Sequence, residues 1–145
     1  MLPLFWDETH HALAQSTQRW VERHITPHAA QWEEDGLFDR GLYQAAGDAG
    51  ILGVSYAEAE GGAGGDVLHG LIVGEALVRG GSVGTAMGLG SHAISLPPIL
   101  ALGTTAQKAR WVPPVLAGEK IICLGITEPG AGSDVAGIRT RAVRD

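Results

Sequence analysis

The residues best suited to chemistry lie close together near the C-terminal end, in Ile126-Thr127-Glu128-Pro129-Gly130-Ala131-Gly132-Ser133-Asp134. Two hydroxyls, Thr127 and Ser133, flank a stretch with little side-chain bulk. Such a loop exposes backbone N–H groups, which suits an anion or the polar edge of a flat ring. Proline and glycine also build ordinary turns, so residue types alone leave both readings open. Other patterns carry less. His24 and His28 have the spacing of a helical metal pair, but Pro27 stands between them and no third ligand is near; no metal site is assigned. Gly88-Leu89-Gly90-Ser91-His92-Ala93 matches a dinucleotide-binding string, yet no strand precedes it and it sits in a helical run. Ser91-His92 has no nucleophile elbow around it, and His92 reads as a core histidine. Trp6, Trp20 and Trp32 lack the basic neighbours of a nucleic-acid stacking platform and read as packing residues.

The elements that must position the loop are mostly helical. Trp6, Leu13, Thr17, Trp20, Val21 and His24 recur at three- and four-residue steps, which predicts a helix that Pro27 kinks or ends near Ile25. Asp39 to Gly50 reads as a second helix, with Leu42, Ala45, Ala46 and Ala49 inward. The glycine run Gly61-Gly62-Ala63-Gly64-Gly65 is a loop. Asp66 then caps a helix from Val67 to Arg79, with Leu68, Leu71, Ile72 and Ala76 toward the core. Ser82 caps a nearly all-apolar helix reaching Leu102. Thr104 and Gln107 form a capping box for a helix expected to stop near Trp111, before Pro113-Pro114. Ile121 to Thr127, rich in β-branched residues, reads as a buried strand, and Arg139 to Val143 as a second. These readings place a domain boundary near Gly118, with helices in 1–118 and strands in 119–145.

Composition narrows the function classes. The chain has 145 residues, 45% apolar, with a formal net charge of −6 and no clustered basic face. A nucleic-acid partner is therefore not expected. Gly80 to Gln107 carries no charge and exceeds the ~20 residues of a bilayer span, but its glycines, serines, His92 and Pro97-Pro98 fit a buried helix better, so no membrane span is expected. The single cysteine, Cys123, cannot build a disulfide framework, and Met1 to Glu8 shows no targeting pattern; both point to a reducing, cytoplasmic compartment.

The string Thr127-Glu128-Pro129-Gly130-Ala131-Gly132-Ser133-Asp134-Val135-Ala136-Gly137 resembles the flavin-binding signature of the acyl-CoA dehydrogenase family. Pro27 to Glu33, Ala46 to Gly53, the glycine loop and Gly103 to Lys108 before Trp111-Val112-Pro113 resemble the same family in the same order. The resemblance implies a mainly α fold: the N-terminal helical domain, followed by the first strands of a middle β-barrel domain. It implies an FAD cofactor contacted by Leu124, Ile126, Thr127, Gly132 and Ser133, with Thr127 on the polar flavin edge and Ser133 near both the pyrophosphate and the acyl-CoA. Ala86, Met87 and Gly90 would border the acyl chain. The implied reaction is α,β-dehydrogenation of an acyl-CoA, with an electron-transferring flavoprotein as acceptor and a homo-oligomer, dimer or tetramer, as the assembly. The family's glutamate base would lie beyond Asp145, leaving residues 1–145 inactive alone. A non-catalytic helical module and a related flavoprotein such as an acyl-CoA oxidase are the alternatives.

Overall fold

A computed structural model describes residues 6–143. Six α-helices follow in chain order: α1 (Glu8–His24), α2 (Ala29–Asp35), α3 (Gly41–Asp48), α4 (Val67–Arg79), α5 (Val83–Leu102) and α6 (Thr105–Leu116). Each boundary has a local cause. Asp7 and Asp66 cap α1 and α4 in the same way. Each carboxylate accepts from the N–H two and three residues on, while His10 or His69 reaches back to the cap's own N–H. The bonds from Thr9 and from the His10 N–H hold the Asp7 carboxyl below the ordinary carboxylate range. Those from His69 do the same for Asp66. Ile25 ends α1 as expected, and α2 begins after Pro27. Ser82 caps α5, and Thr104 with Gln107 caps α6.

α1 packs most extensively on α4, and α5 is packed by α2, α4 and α6. One core cluster joins Val21, Ile25, Leu42, Ala46, Leu52, Val73, Leu77 and Leu89; a second joins Leu96, Val112, Val115 and Leu116. α5 is long and apolar enough to cross a membrane by length and composition. Its buried residues Ala86 and Leu89 belong to the first cluster and Leu96 to the second, while Val83, Met87, Ile94 and Leu102 are exposed. Gly118 closes α6 against α3: its φ is +73°, and any side chain there would collide with the Tyr43 carbonyl.

Several expectations are corrected. Leu71 is exposed rather than inward; Val73 and Leu77 take the core side of α4 with Ile72. α6 does not stop at Trp111 but runs through Pro113 and Pro114 to Leu116. Burial of Val112, Val115 and Leu116 offsets the lost backbone bonds, and Ala117 N–H to Pro113 O at 2.9 Å and Lys120 N–H to Pro114 O at 3.0 Å close the final turn. The largest correction concerns residues after Gly118. Neither Ile121 to Thr127 nor Arg139 to Val143 is a strand, and among the described residues there is no sheet, only an isolated bridge between Glu128 and Ala131. The expected opening of a β-barrel domain is therefore not present; the described fold is helical. β-branched residues favour extended backbone, but a strand also needs a neighbour to exchange ladder bonds, and this segment has none. Cys123, expected in a buried strand, is exposed.

Candidate functional site

The segment leading to the loop is tied to α5 at one residue. The Ile122 N–H donates to His92 Nε2 at 3.5 Å, and the Ser91 hydroxyl shares its one proton between the Gly88 carbonyl at 2.8 Å and the Ile122 carbonyl at 3.2 Å. Adjacent side chains on α5 thus face both backbone groups of Ile122. His92 is 1% exposed and stacks on Tyr43 at 5.2 Å between ring centroids. Burial lowers its pKa below 6.5, so it is neutral at physiological pH. Neutrality leaves Nε2 an acceptor and puts the proton on Nδ1, which is buried with no partner among the described residues. The sequence reading took His92 as core packing and set Ser91-His92 aside; their clamp on a distant backbone carries no signal in local spacing.

Beyond Ile122 the chain opens toward solvent. Leu124 and Ile126 are about half exposed, at 46% and 48%, and Thr127, Gly132 and Ser133 are exposed. Reciprocal bonds close the loop, from Glu128 N–H to Ala131 O at 2.9 Å and from Ala131 N–H to Glu128 O at 3.1 Å. Ala131 is its one buried residue. The Glu128 carboxylate accepts from the N–H groups of Thr140 at 2.7 Å and Arg139 at 3.0 Å. Bonding to Thr140 first, then Arg139, holds its carboxyl below the usual carboxylate range. Glu128 is thus a loop fastener, an ionised acceptor already engaged. A side-chain carbon added at Gly130 or Gly132 would meet nothing within 4 Å, so a ligand could approach the backbone there.

The three positions expected to border an acyl chain separate. Ala86 is buried in the core with Leu89, whereas Met87 is 62% exposed and Gly90 faces open space. Met87 and Gly90 share the outer face of α5 with the exposed Val83 and Ile94, at helical spacing. Glu75 pairs with Arg79 at 2.6 Å on the surface of α4. Glu33, which the sequence reading passed over, accepts from Ser82 Oγ at 2.6 Å and from Gly84 N–H at 3.2 Å, joining α2 to the start of α5. The bond from Ser82, then that from Gly84, lowers its pKa. His24 stacks on Trp20 and His28 on Trp32.

Residues 7–119 match the family model described as the acyl-CoA dehydrogenase N-terminal domain. The chain belongs to the acyl-CoA dehydrogenase family. It is 37% identical over 136 residues to the mitochondrial long-chain specific acyl-CoA dehydrogenase of Sus scrofa, covering 94% of this chain and 31% of that one. The crystal structure of a probable acyl-CoA dehydrogenase from Mycobacterium abscessus superposes with a TM-score of 0.90 at 44% identity, covering 96% of this chain and 37% of that one. An acyl-CoA dehydrogenase from Bacillus anthracis, solved with FAD, superposes with a TM-score of 0.85 at 31% identity, over 95% of this chain and 24% of that one. The chain thus spans about a third of the length of the curated relatives it matches. The long-chain and short-chain mammalian relatives are mitochondrial, which overturns the expectation of a cytoplasmic protein drawn from a lone cysteine and the first eight residues. A reducing environment is common to more than one compartment, so cysteine count could not make that distinction.

Proposed function

We propose that this chain is the N-terminal portion of an FAD-dependent acyl-CoA dehydrogenase that removes hydrogens from the α and β carbons of an acyl-CoA. Membership of the family carries the reading, and the exposed loop from Thr127 to Ser133 is proposed as the chain's share of the site. FAD, when bound, supplies the hydride acceptor. Thr127 and Ser133 offer exposed hydroxyls to it, the glycines admit close backbone approach, and the exposed Leu124 and Ile126 offer apolar surface to a flat ring. The relative from Bacillus anthracis that superposes on this chain was solved with FAD, which supports the cofactor.

Met87 and Gly90 are proposed to border the acyl chain, with Ala86 behind them holding α5 to the core. An electron-transferring flavoprotein is the proposed acceptor and a dimer or tetramer the proposed assembly, both on family grounds. The helical domain is proposed to end near Gly118. We further propose that residues 1–145 alone do not turn over. A base must come within ~3 Å of the proton it removes, and Glu128 and Glu33, carboxylates close to the loop and to α5, are each already held by two donors. The test is flavin retention by the gene product containing this chain and by its Thr127→Val variant. Loss of one hydrogen bond to the flavin edge, worth ~1 kcal/mol, should weaken FAD binding about fivefold or shift its reduction potential. Identical flavin content and potential would remove Thr127 from the site.

A further inference from the structure

Two helices on opposite sides of a long glycine loop begin with the same four-residue pattern, Asp7-Glu8-Thr9-His10 and Asp66-Val67-Leu68-His69. Packing of α1 on α4 brings these two starts together, with the His10 and His69 rings 4.3 Å apart between centroids. The His10 side chain is only 7% exposed. Its Nδ1 lies 2.8 Å from Asp7 Oδ1 and 3.2 Å from the Asp7 N–H. With the proton on Nδ1 the shorter contact, to a carboxylate, becomes the hydrogen bond, and that tautomer leaves Nε2 with a lone pair. That Nε2 is buried, has no hydrogen-bond partner among the described residues, and points at Asp66 Oδ1, 3.9 Å away. Asp66 Oδ1 also lies 2.7 Å from His69 Nδ1, a proton-bearing contact whose proton a bound cation would release. Two acceptors therefore face each other across a gap with no donor between them.

We propose that His10 Nε2, the Asp66 carboxylate and His69 Nδ1 form a binding site for a divalent transition-metal cation of the zinc class, clipping the start of α1 to the start of α4. The three ligand atoms lie within 4.8 Å of one another. Ligands at ~2.1 Å around a tetrahedral ion stand about 3.4 Å apart, between the two separations from Asp66 Oδ1 in the folded chain, 2.7 Å and 3.9 Å. Two imidazoles and one carboxylate are the donors this class of ion favours over calcium or magnesium. Asp7 fills the outer position, accepting from His10 Nδ1 and so fixing the tautomer that presents Nε2. Water completes the coordination on the Asp66 side, where the carboxylate is more than half exposed. His10 and His69 are far apart in sequence, so local histidine spacing does not mark them; the repeated Asp-x-x-His pattern is the signal the sequence carries.

Zinc chloride alone, titrated by calorimetry into the chain, tests this. The expected result is uptake of one equivalent with a rise in Tm. Asp66→Asn keeps the helix cap, since Asn caps as well as Asp, and removes the ligand charge; it should weaken binding at least tenfold. His10→Gln should do the same. His69→Ala, at a more exposed position, decides the matter if His10→Gln fails to fold. His24→Gln should leave binding unchanged. No uptake would overturn the proposal. Uptake that survives in Asp66→Asn and His69→Ala would overturn it equally, as adventitious binding to exposed histidines.

Discussion

Lowering the pH should destabilise the fold through His92, and the effect can be worked from its surroundings. In the folded chain His92 is neutral, buried beside Tyr43, with Nε2 accepting from the Ile122 N–H. Protonation would turn Nε2 into a donor aimed at a donor and put a charge where burial already depresses the pKa. An unfolded His92 titrates near its ordinary 6.5. Between that value and the lower folded one, the unfolded chain binds more protons. Stability from this group is therefore fully present above pH 6.5 and falls as pH drops below it, levelling only beneath the folded pKa. The slope within that window is at most about 1.4 kcal/mol per pH unit. Urea unfolding at pH 7.5, 6.5, 5.5 and 5.0 should show it, and His92→Leu isolates it from the five other histidines. At pH 7.5 the variant should lose about 1 kcal/mol or more for the unpaired Ile122 N–H. The gap between the two proteins should narrow as pH falls. Parallel curves for wild type and His92→Leu would refute the reasoning, because they would place the titration elsewhere.

Other outcomes follow from single sites. Leu96 is wholly buried, so Leu96→Ala should cost about 2–5 kcal/mol by urea unfolding without changing helix content at native conditions. Gly74 lies on the exposed side of α4 with nothing within 4 Å of an added carbon, so Gly74→Ala should raise stability by about 0.5–1 kcal/mol in the same assay. Gly90 also faces open space, so Gly90→Phe should fold; if Gly90 borders the acyl chain, kcat/KM of the gene product should shift toward shorter acyl-CoAs, and an unchanged chain-length profile would assign that face to packing alone.

The helices were legible because their signals are local. Asp66 before Val67, Ser82 before Val83 and Thr104 with Gln107 sit within one turn of the ends they set, and each cap formed as read. Leu71 was misplaced because the face of α4 is decided by α1 and α5, which periodicity among apolar residues cannot see. The prolines of α6 were overridden by burial of Val112, Val115 and Leu116, a tertiary effect. Ile121 to Thr127 was misread for the converse reason: its residue types favour strand, but pairing is non-local and no partner strand lies among the described residues. The flavin-type loop was legible as a string, while its fastening was not. Glu128 holding Thr140 and Arg139, and Ser91 with His92 holding Ile122, join positions between eleven and thirty-one residues apart.

The central claim is that this chain helps form the flavin site of an acyl-CoA dehydrogenase. Its most direct test is anaerobic visible spectroscopy of the gene product containing residues 1–145, titrated with acyl-CoAs of increasing chain length. The account predicts a bound flavin whose visible band bleaches with at least one acyl-CoA and recovers when an electron-transferring flavoprotein or an artificial acceptor is added. A colourless protein, or a flavin that no acyl-CoA reduces, would contradict it.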